Sequence, residues 1–451
     1  MPSSGWWGTR GDGPPFTSRF QANVGLMSGL HADRDDRIPR LFSAPTDRRI
    51  ATLAWIGAAA ASFVLIALVG FTSADPDSRV YAGISARLAA EPFDRWIAPD
   101  WWGLWNFTGP FREHPIGILV LPALIGRIGY PAHQAAYAVN GLFQLVSIVL
   151  VQMIAAHLVR PREARALGWI VQVMPIAFVF RVRANQEYAV LAGVLLAVLA
   201  TERSYRRPAW ASVTALAFAW TLLVKGIFGF VVPITCGVWL AVRTWVERGA
   251  RNGRAGAPWI ALGLVLLVAP VLATVYEYAY VRATGDSFLA FYMGPRLNPG
   301  AVTAGALERV GYNTIWYMGR LAWYAFPWSL AGLVAFAAWV VSRRRRKDSG
   351  RADATPPGER DTRGLLFAVT ASVLLIVLFS FSDRKADRFI FPAYYFIAGA
   401  GGVAAIRYSP LLSRMVNRLD RPWVPAACWM ALFLLRLITG SHLPQFTFWR
   451  S

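Results

Sequence analysis

The sequence predicts an all-α, polytopic integral membrane protein that crosses the bilayer about eleven times. Three observations carry this reading. The chain of 451 residues is 56% hydrophobic and 16% charged, where a soluble chain of this size carries about 25% charged residues. Its mean hydropathy is +0.40. Apolar runs recur along its whole length, and the segments joining them alternate between Lys/Arg-rich and Lys/Arg-poor.

A bilayer core needs about 20 apolar residues per helix. Runs of that kind, or near it, occupy 50–71, 132–158, 165–180, 188–201, 209–224, 227–246, 258–281, 312–341, 364–381, 389–407 and 423–440. The shorter runs extend into their flanks or tilt against neighbours. The run 115–128 has only about three turns of hydrophobicity and contains Pro122, so it is read as an interfacial or half-buried helix. The first 49 residues are polar and rich in Gly, Pro and Ser, without a signal-peptide pattern. They read as a disordered basic cytoplasmic tail. The rest divides at the polar stretch after 246 into an N-terminal transmembrane module, 50–246, and a C-terminal one, 247–451.

Orientation follows from Lys and Arg. With the N-terminus cytoplasmic, the inner segments hold 27 Lys and Arg and the outer segments 14. The positive-inside rule therefore favours this orientation, and eleven crossings leave the C-terminus outside. The run Arg343–Lys347 is the strongest inner marker and reads as an anchor against anionic lipid. The net charge of +21 is accounted for by this pattern, and no nucleic-acid partner is expected. Cys236 and Cys428 both sit in apolar runs and form no disulfide framework, and no Cys/His cluster has zinc spacing.

The polar residues that need explaining gather on the outer side. The first outer loop, 72–114, contains Asp75, Asp77, Asp94, Asp100, Glu113 and His114 among Trp96, Trp101, Trp102 and Trp105. Its amphipathic stretches are expected to lie as helices in the interface. Tryptophan at this density suits the headgroup region, and an aromatic face also packs on a sugar ring. Asn106-Phe107-Thr108 matches a glycosylation sequon by chance, in a chain that otherwise reads as bacterial.

Several of these segments resemble a family. Asp75-Pro76-Asp77-Ser78-Arg79-Val80-Tyr81-Ala82 resembles the first-loop motif of the GT-C superfamily of polyprenyl-phosphate-dependent glycosyltransferases. Lipid A aminoarabinose transferases and protein O-mannosyltransferases are the nearest in pattern. That pattern is Asp-Glu, two variable residues, Tyr and Ala. Asp77 and Tyr81 match it, and Ser78 stands where the Glu usually does. Phe111-Arg112-Glu113-His114-Pro115, Val224-Lys225-Gly226, Phe326-Pro327-Trp328-Ser329-Leu330 and the stretch Ser382–Pro392 resemble later motifs in the same order, with Phe389 in place of a Tyr. The resemblance covers 75–451 and not the first 49 residues. No large soluble C-terminal domain of the kind some relatives carry is seen. The resemblance implies a single inverting displacement at a site on the outer side.

The chemistry such a site needs can be stated from the residues. Sugar transfer to a hydroxyl needs a carboxylate to take the proton and cations to meet the charge on the leaving phosphate. Asp77, a few residues past the first span, is the expected base, with Asp75 its rival two residues away. Lys225 lies alone in the tight connection between 209–224 and 227–246, beside Gly226 and Gly229, and suits a lipid-linked phosphate. Arg384, Lys385 and Arg388 add positive charge on the same side. Tyr81, Glu113, His114 and Glu187 are expected around the substrates, although Glu187 could equally pair with Arg181 or Arg183. Glu277 and Arg320 lie inside apolar runs, as functional charges or as paired ones.

No metal site and no cofactor are required. Glu113 and His114 could hold a divalent cation only with a further carboxylate. A phosphate-cradling Gly-rich loop is missing, and the outer side lacks nucleotide sugars. The donor is therefore expected to be a sugar on a polyprenyl phosphate, and the acceptor a lipid, a glycan or a protein. The expected location is the bacterial inner or plasma membrane, with membrane lipid as the other partner. A transporter or flippase of lipid-linked sugar is the alternative, though neither internal repeats nor midplane polar residues support it. A catalytically inactive GT-C scaffold is a second alternative, kept open by Ser78. The charge asymmetry makes one prediction. A single Cys placed in 72–114 should react with an impermeant maleimide on intact cells, and one in 342–363 only after permeabilisation. Labelling of both from one side would overturn the orientation.

Overall fold

The computed structural model describes residues 41–439 except 43, 247–256, 295–305, 335–336, 338–340, 342–358 and 383–384. Among these residues the architecture is helical throughout, and the only β-pairing is an isolated bridge between Asp100 and Pro110. Six helical stretches are long and apolar enough to cross a membrane, and Gly117–Arg127 and Val424–Thr439 are shorter apolar helices.

The first helix, α1 (Pro45–Leu68), starts five residues before the apolar run. Pro45 occupies its first turn, where the missing N–H costs nothing, and Asp47 there opposes the helix dipole. The expected tail is thus helical from 45 onward, and its residues 1–40 lie outside those described. Next come α2 (Pro76–Ala90) in the first outer loop and α3 (Gly117–Arg127). The short run at 115–128 is indeed a three-turn helix. It is half buried: Gly117 lies against the backbone of Leu223, where a Cβ would approach within 2.7 Å.

The buried centre is α4 (Ala132–Ala155) with α7 (Glu187–Ser204). Helix α7 is apolar on every side, as a helix surrounded by others should be. In contrast α1 and the pair α10 (Ala257–Leu266) and α11 (Val268–Thr284) expose Leu53, Ile56, Ile260, Leu264, Val271 and Val275. Within a bilayer these side chains face lipid.

The run 165–180 departs from a single span. It is broken into α5 (Pro161–Ile170) and the five-residue α6 (Pro175–Val179). Pro175 forces Met174 into an extended conformation, φ −66° and ψ 144°. Helices α8 (Trp210–Lys225) and α9 (Val231–Val246) form two antiparallel passes, not one long rod. Gly226, at φ +58° and ψ −132°, turns the chain between them. Ion pairs from both ends of α7 prove the reversal, because Glu187 meets Lys225 and Glu202 meets Arg243. The run 312–341 is likewise interrupted: α12 (Phe288–Met293) is followed by α13 (Ala306–Tyr324), which stops three residues before Pro327. Helices α14 (Glu359–Ser380), α15 (Phe391–Tyr408), α16 (Pro410–Arg418) and α17 (Val424–Thr439) complete the bundle.

The end of the bundle away from Asp77 is tied by charge. Glu202 accepts from Arg243 at 2.8 Å and Trp239 at 2.9 Å, with His157 3.8 Å and Arg363 4.0 Å away. Arg407 forks onto Glu163 at 2.8 and 2.9 Å, and Arg165 onto Asp420 at 2.6 and 2.7 Å. Such bidentate pairs add geometric specificity as well as energy. Of the two intramembrane charges expected to be functional or paired, Arg320 is ion-paired and Glu277 binds a backbone N–H. Arg320 Nε lies 3.1 Å from Asp387, and Glu277 accepts the N–H of Leu289 at 2.8 Å, at the start of α12.

Glycines set the closest crossing. A Cβ on Gly401 would stand 1.9 Å from the carbonyl oxygen of Trp328. Gly401→Ala should therefore force the two segments apart, and such overpacking costs about 1–3 kcal/mol. The expected result is a lower unfolding temperature of the detergent-solubilised protein. An unchanged temperature would mean that the crossing is loose.

Candidate functional site

The site is built where α2, the start of α7, the end of α8 and the start of α15 meet. Asp75 caps α2. Its carboxylate accepts the N–H of Ser78 at 3.0 Å, lies 2.6 Å from the Ser78 hydroxyl and pairs with Arg183 at 3.4 Å. An Asp at this position is a standard helix start. The Ser78 hydroxyl is also 2.6 Å from Asn185 Oδ1 and accepts the N–H of Ala184 at 3.1 Å. Ser78 thus fastens α2 to the segment that leads into α7.

Two residues after the cap, Asp77 has no such structural duty. It forms an ion pair with Arg388, and both side chains remain about a third exposed. The residue before Arg388 is fixed: Asp387 is gripped by Arg320 and by the Tyr324 hydroxyl at 2.9 Å, and its carbonyl accepts from Tyr394 at 2.9 Å.

Behind this exposed pair lies a buried one. Lys225 Nζ is 3.1 Å from Glu187 Oε1, and only 5% and 2% of the two side chains are exposed. Glu187 opens α7, where the positive helix end favours a carboxylate. Its second oxygen, Oε2, has no hydrogen-bond partner among the described residues. The placement corrects one expectation and decides another. Lys225 is not an open cation in a surface turn, because the turn folds inward and α12 covers it. The partner of Glu187 is Lys225, not Arg181 or Arg183.

The Tyr292 hydroxyl of α12 donates to the Lys225 carbonyl and accepts the N–H of Ile227, both at 3.2 Å. Gly226 must be glycine here twice over. Its φ is positive, and a Cβ would lie 2.2 Å from that hydroxyl. Glu187, Lys225, Arg388 and Pro392 share a small cavity of about 10 Å³, room for about one water molecule.

Tyr81 is buried one turn along α2 from Asp77, and its hydroxyl accepts from Gln186 at 3.3 Å. Burial pushes this phenol upward, against the pull of Arg388 and with Asp77, Glu187 and Glu113 adding to the rise. It is therefore a neutral hydrogen-bonding group. His114 packs 6.1 Å from its ring, beside Phe111. Glu113 is adjacent in sequence, and no group of three metal-ligating side chains occurs among the described residues.

Lys385 stands apart. It is exposed, with Nζ 4.2 Å from the centroid of Tyr312. Arg384 lies outside the described residues. The expected residues therefore separate into an inner group, Asp77, Tyr81, Glu187, Lys225 and Arg388, with Glu113 and His114 beside it, a capping Asp75 and an outlying Lys385. Ser78, Asn185, Gln186, Asp387 and Tyr292 were not anticipated at the site. The segment Asn185-Gln186-Glu187, three polar residues at the head of an apolar helix, was the available signal.

No family model and no curated protein matches the chain. Solved structures do, among them two of one protein. The apo crystal structure of ArnT from Cupriavidus metallidurans is 17% identical, with a TM-score of 0.55, over 86% of this chain and 77% of that one. The same protein bound to undecaprenyl phosphate is 16% identical, with a TM-score of 0.56, over 86% and 76%. The chain has the ArnT fold. The likeness covers 86% of this chain.

The buried pair makes a prediction. Lys225→Met alone leaves a desolvated carboxylate, and breaking a buried pair in this way costs about 3–5 kcal/mol. Lys225→Met combined with Glu187→Gln should regain most of that loss. Unfolding temperatures of the two single variants and the double variant in detergent test this, and simple additivity would show that the two groups are not coupled.

Proposed function

We propose that this protein is a membrane glycosyltransferase. It moves a sugar from a polyprenyl-phosphate donor to an acceptor hydroxyl on a lipid, a glycan or a protein. The observation that carries the proposal is the half-exposed Asp77–Arg388 pair backed by the buried Glu187–Lys225 pair. One carboxylate and one cation are reachable from outside, at one end of a bundle with the fold of ArnT. The undecaprenyl phosphate bound to ArnT supports the same class of donor here. On the charge asymmetry, the site faces the extracytoplasmic side of a bacterial inner membrane.

In this reading the donor phosphate takes Arg388 from Asp77. The fork of a guanidinium matches a phosphate well, and freeing Asp77 leaves a carboxylate able to accept a proton. The acceptor oxygen attacks the anomeric carbon as Asp77 takes its proton, and the C–O bond to the phosphate breaks. The bond electrons leave with the polyprenyl phosphate, whose growing charge Arg388 meets. Lys385 adds charge from the rim. Lys225 acts from behind, fixing Glu187 and the floor of the small cavity. Tyr81, neutral, hydrogen-bonds near the reacting groups.

Purified protein given a panel of polyprenyl-phosphate sugars, with mass spectrometry of the products, tests the activity. Asp77→Asn should lower turnover by about 10²–10⁴ with donor binding largely kept, the usual worth of a general base. Arg388→Lys should weaken donor binding while keeping part of the turnover. Asp75→Asn should act mainly on stability, by loss of the α2 cap. Wild-type turnover in Asp77→Asn would remove the base and weigh against the enzyme reading.

A further inference from the structure

At the end of the bundle away from this site, an apolar cleft of about 330 Å³ opens between α4, α5, α7, α14 and α15. Val151, Leu195, Phe367 and Val403 are among its walls, and Arg407 and Tyr408 stand at its mouth. Its volume falls within the roughly 300–1,000 Å³ typical of ligand sites. A void of this size between close-packed helices forfeits contacts on every wall.

Its glycines differ from the others in α15. A Cβ on Gly401 or Gly402 would collide, at 1.9 Å with Trp328 and at 2.6 Å with Ile170. A Cβ on Gly399 would meet nothing within 4 Å, and one on Gly364 would meet only Leu158 at an ordinary 3.5 Å. Neither has a positive φ. Glycine lowers helix stability, and neither helix crossing nor backbone geometry requires it at these two positions. Both line the cleft, one from each wall, and both leave it open.

The rim supplies the second feature. Arg407 lies at the mouth, and the exposed Arg160 follows Val159, another lining residue. Among the described residues at this end Glu163 is shared with Arg407, Glu202 with Arg363 and Arg243, and Asp420 with Arg165, so arginines outnumber carboxylates.

We propose that the cleft binds one acyl chain of an anionic glycerophospholipid drawn from the leaflet at that end. The chain fills the space left by Gly364 and Gly399, and the phosphate lies against Arg160 and Arg407. Basic pockets between membrane helices recognise anionic headgroups in this way. The site is separate from the transfer reaction and does not depend on which sugar or acceptor the protein uses.

Native mass spectrometry of the detergent-solubilised chain tests it, by titration with dioleoyl phosphatidylglycerol or dioleoyl phosphatidylcholine. One phosphatidylglycerol per chain should be retained, about tenfold more tightly than phosphatidylcholine, a difference in binding of about 1.4 kcal/mol. Gly399→Leu should fill the cleft and weaken that retention at least about tenfold, without lowering the unfolding temperature of the lipid-free protein. Should Gly399→Leu fail to fold, Gly364→Leu asks the same question from the opposite wall. Equal retention of the two lipids overturns the proposal, as does wild-type retention of phosphatidylglycerol by the filled variant.

Discussion

A charge held between membrane helices must be met by an opposite charge or by hydrogen bonds, because lipid offers it neither. The organisation of this bundle follows from that constraint. At one end Glu187 and Lys225 bind the start of α7 to the end of α8, and Asp77 and Arg388 bind α2 to the start of α15. At the other end Glu202 collects Arg243 and Arg363. Helix α7 carries an acid near each end, and each acid fixes a different neighbour. Those two residues fix the ends of α8 and α9 beside it.

The two ends use the same chemistry to different effect. At the Glu202 end the pairs are bidentate or multiply shared, and they hold helices together. At the Asp77 end a buried pair stands behind an accessible one. The buried pair is costly to break singly, which gives the accessible pair a firm base. Arg388 follows Asp387 in the chain, and Asp387 is fixed by Arg320 and Tyr324. A cation positioned in this manner can meet a phosphate without first being ordered, and preorganised charge is the largest single contribution to many transfer reactions.

The motif at the start of α2 shows how one position changes a site. Ser78, where the resembled motif has a Glu, is fully buried and spends its hydroxyl on Asp75, Asn185 and Ala184. A second carboxylate here would face Asp75 at close range. The serine therefore leaves Asp77 as the accessible acid of this turn, with Tyr81 beside it.

Much was legible in the chain itself. Apolar runs of bilayer length have few alternatives to helix, since only helices satisfy their own backbone in lipid. The turn at Gly226 is legible as the gap between two runs, whereas the break before Pro175 falls inside a run that reads as one span. Asp77, Lys225, Glu187 and Arg388 stood out as charges in an apolar chain. What the order of residues left open was pairing. Asp75 and Asp77 are equivalent in one dimension, and only the position of the helix start makes one a cap and leaves the other to pair with Arg388. Lys225 reads as an exposed turn residue until α12, more than sixty positions later, covers it with Tyr292. Burial and partnership are long-range properties of packing, so the tertiary structure alone decided which charges hold the bundle and which face outward.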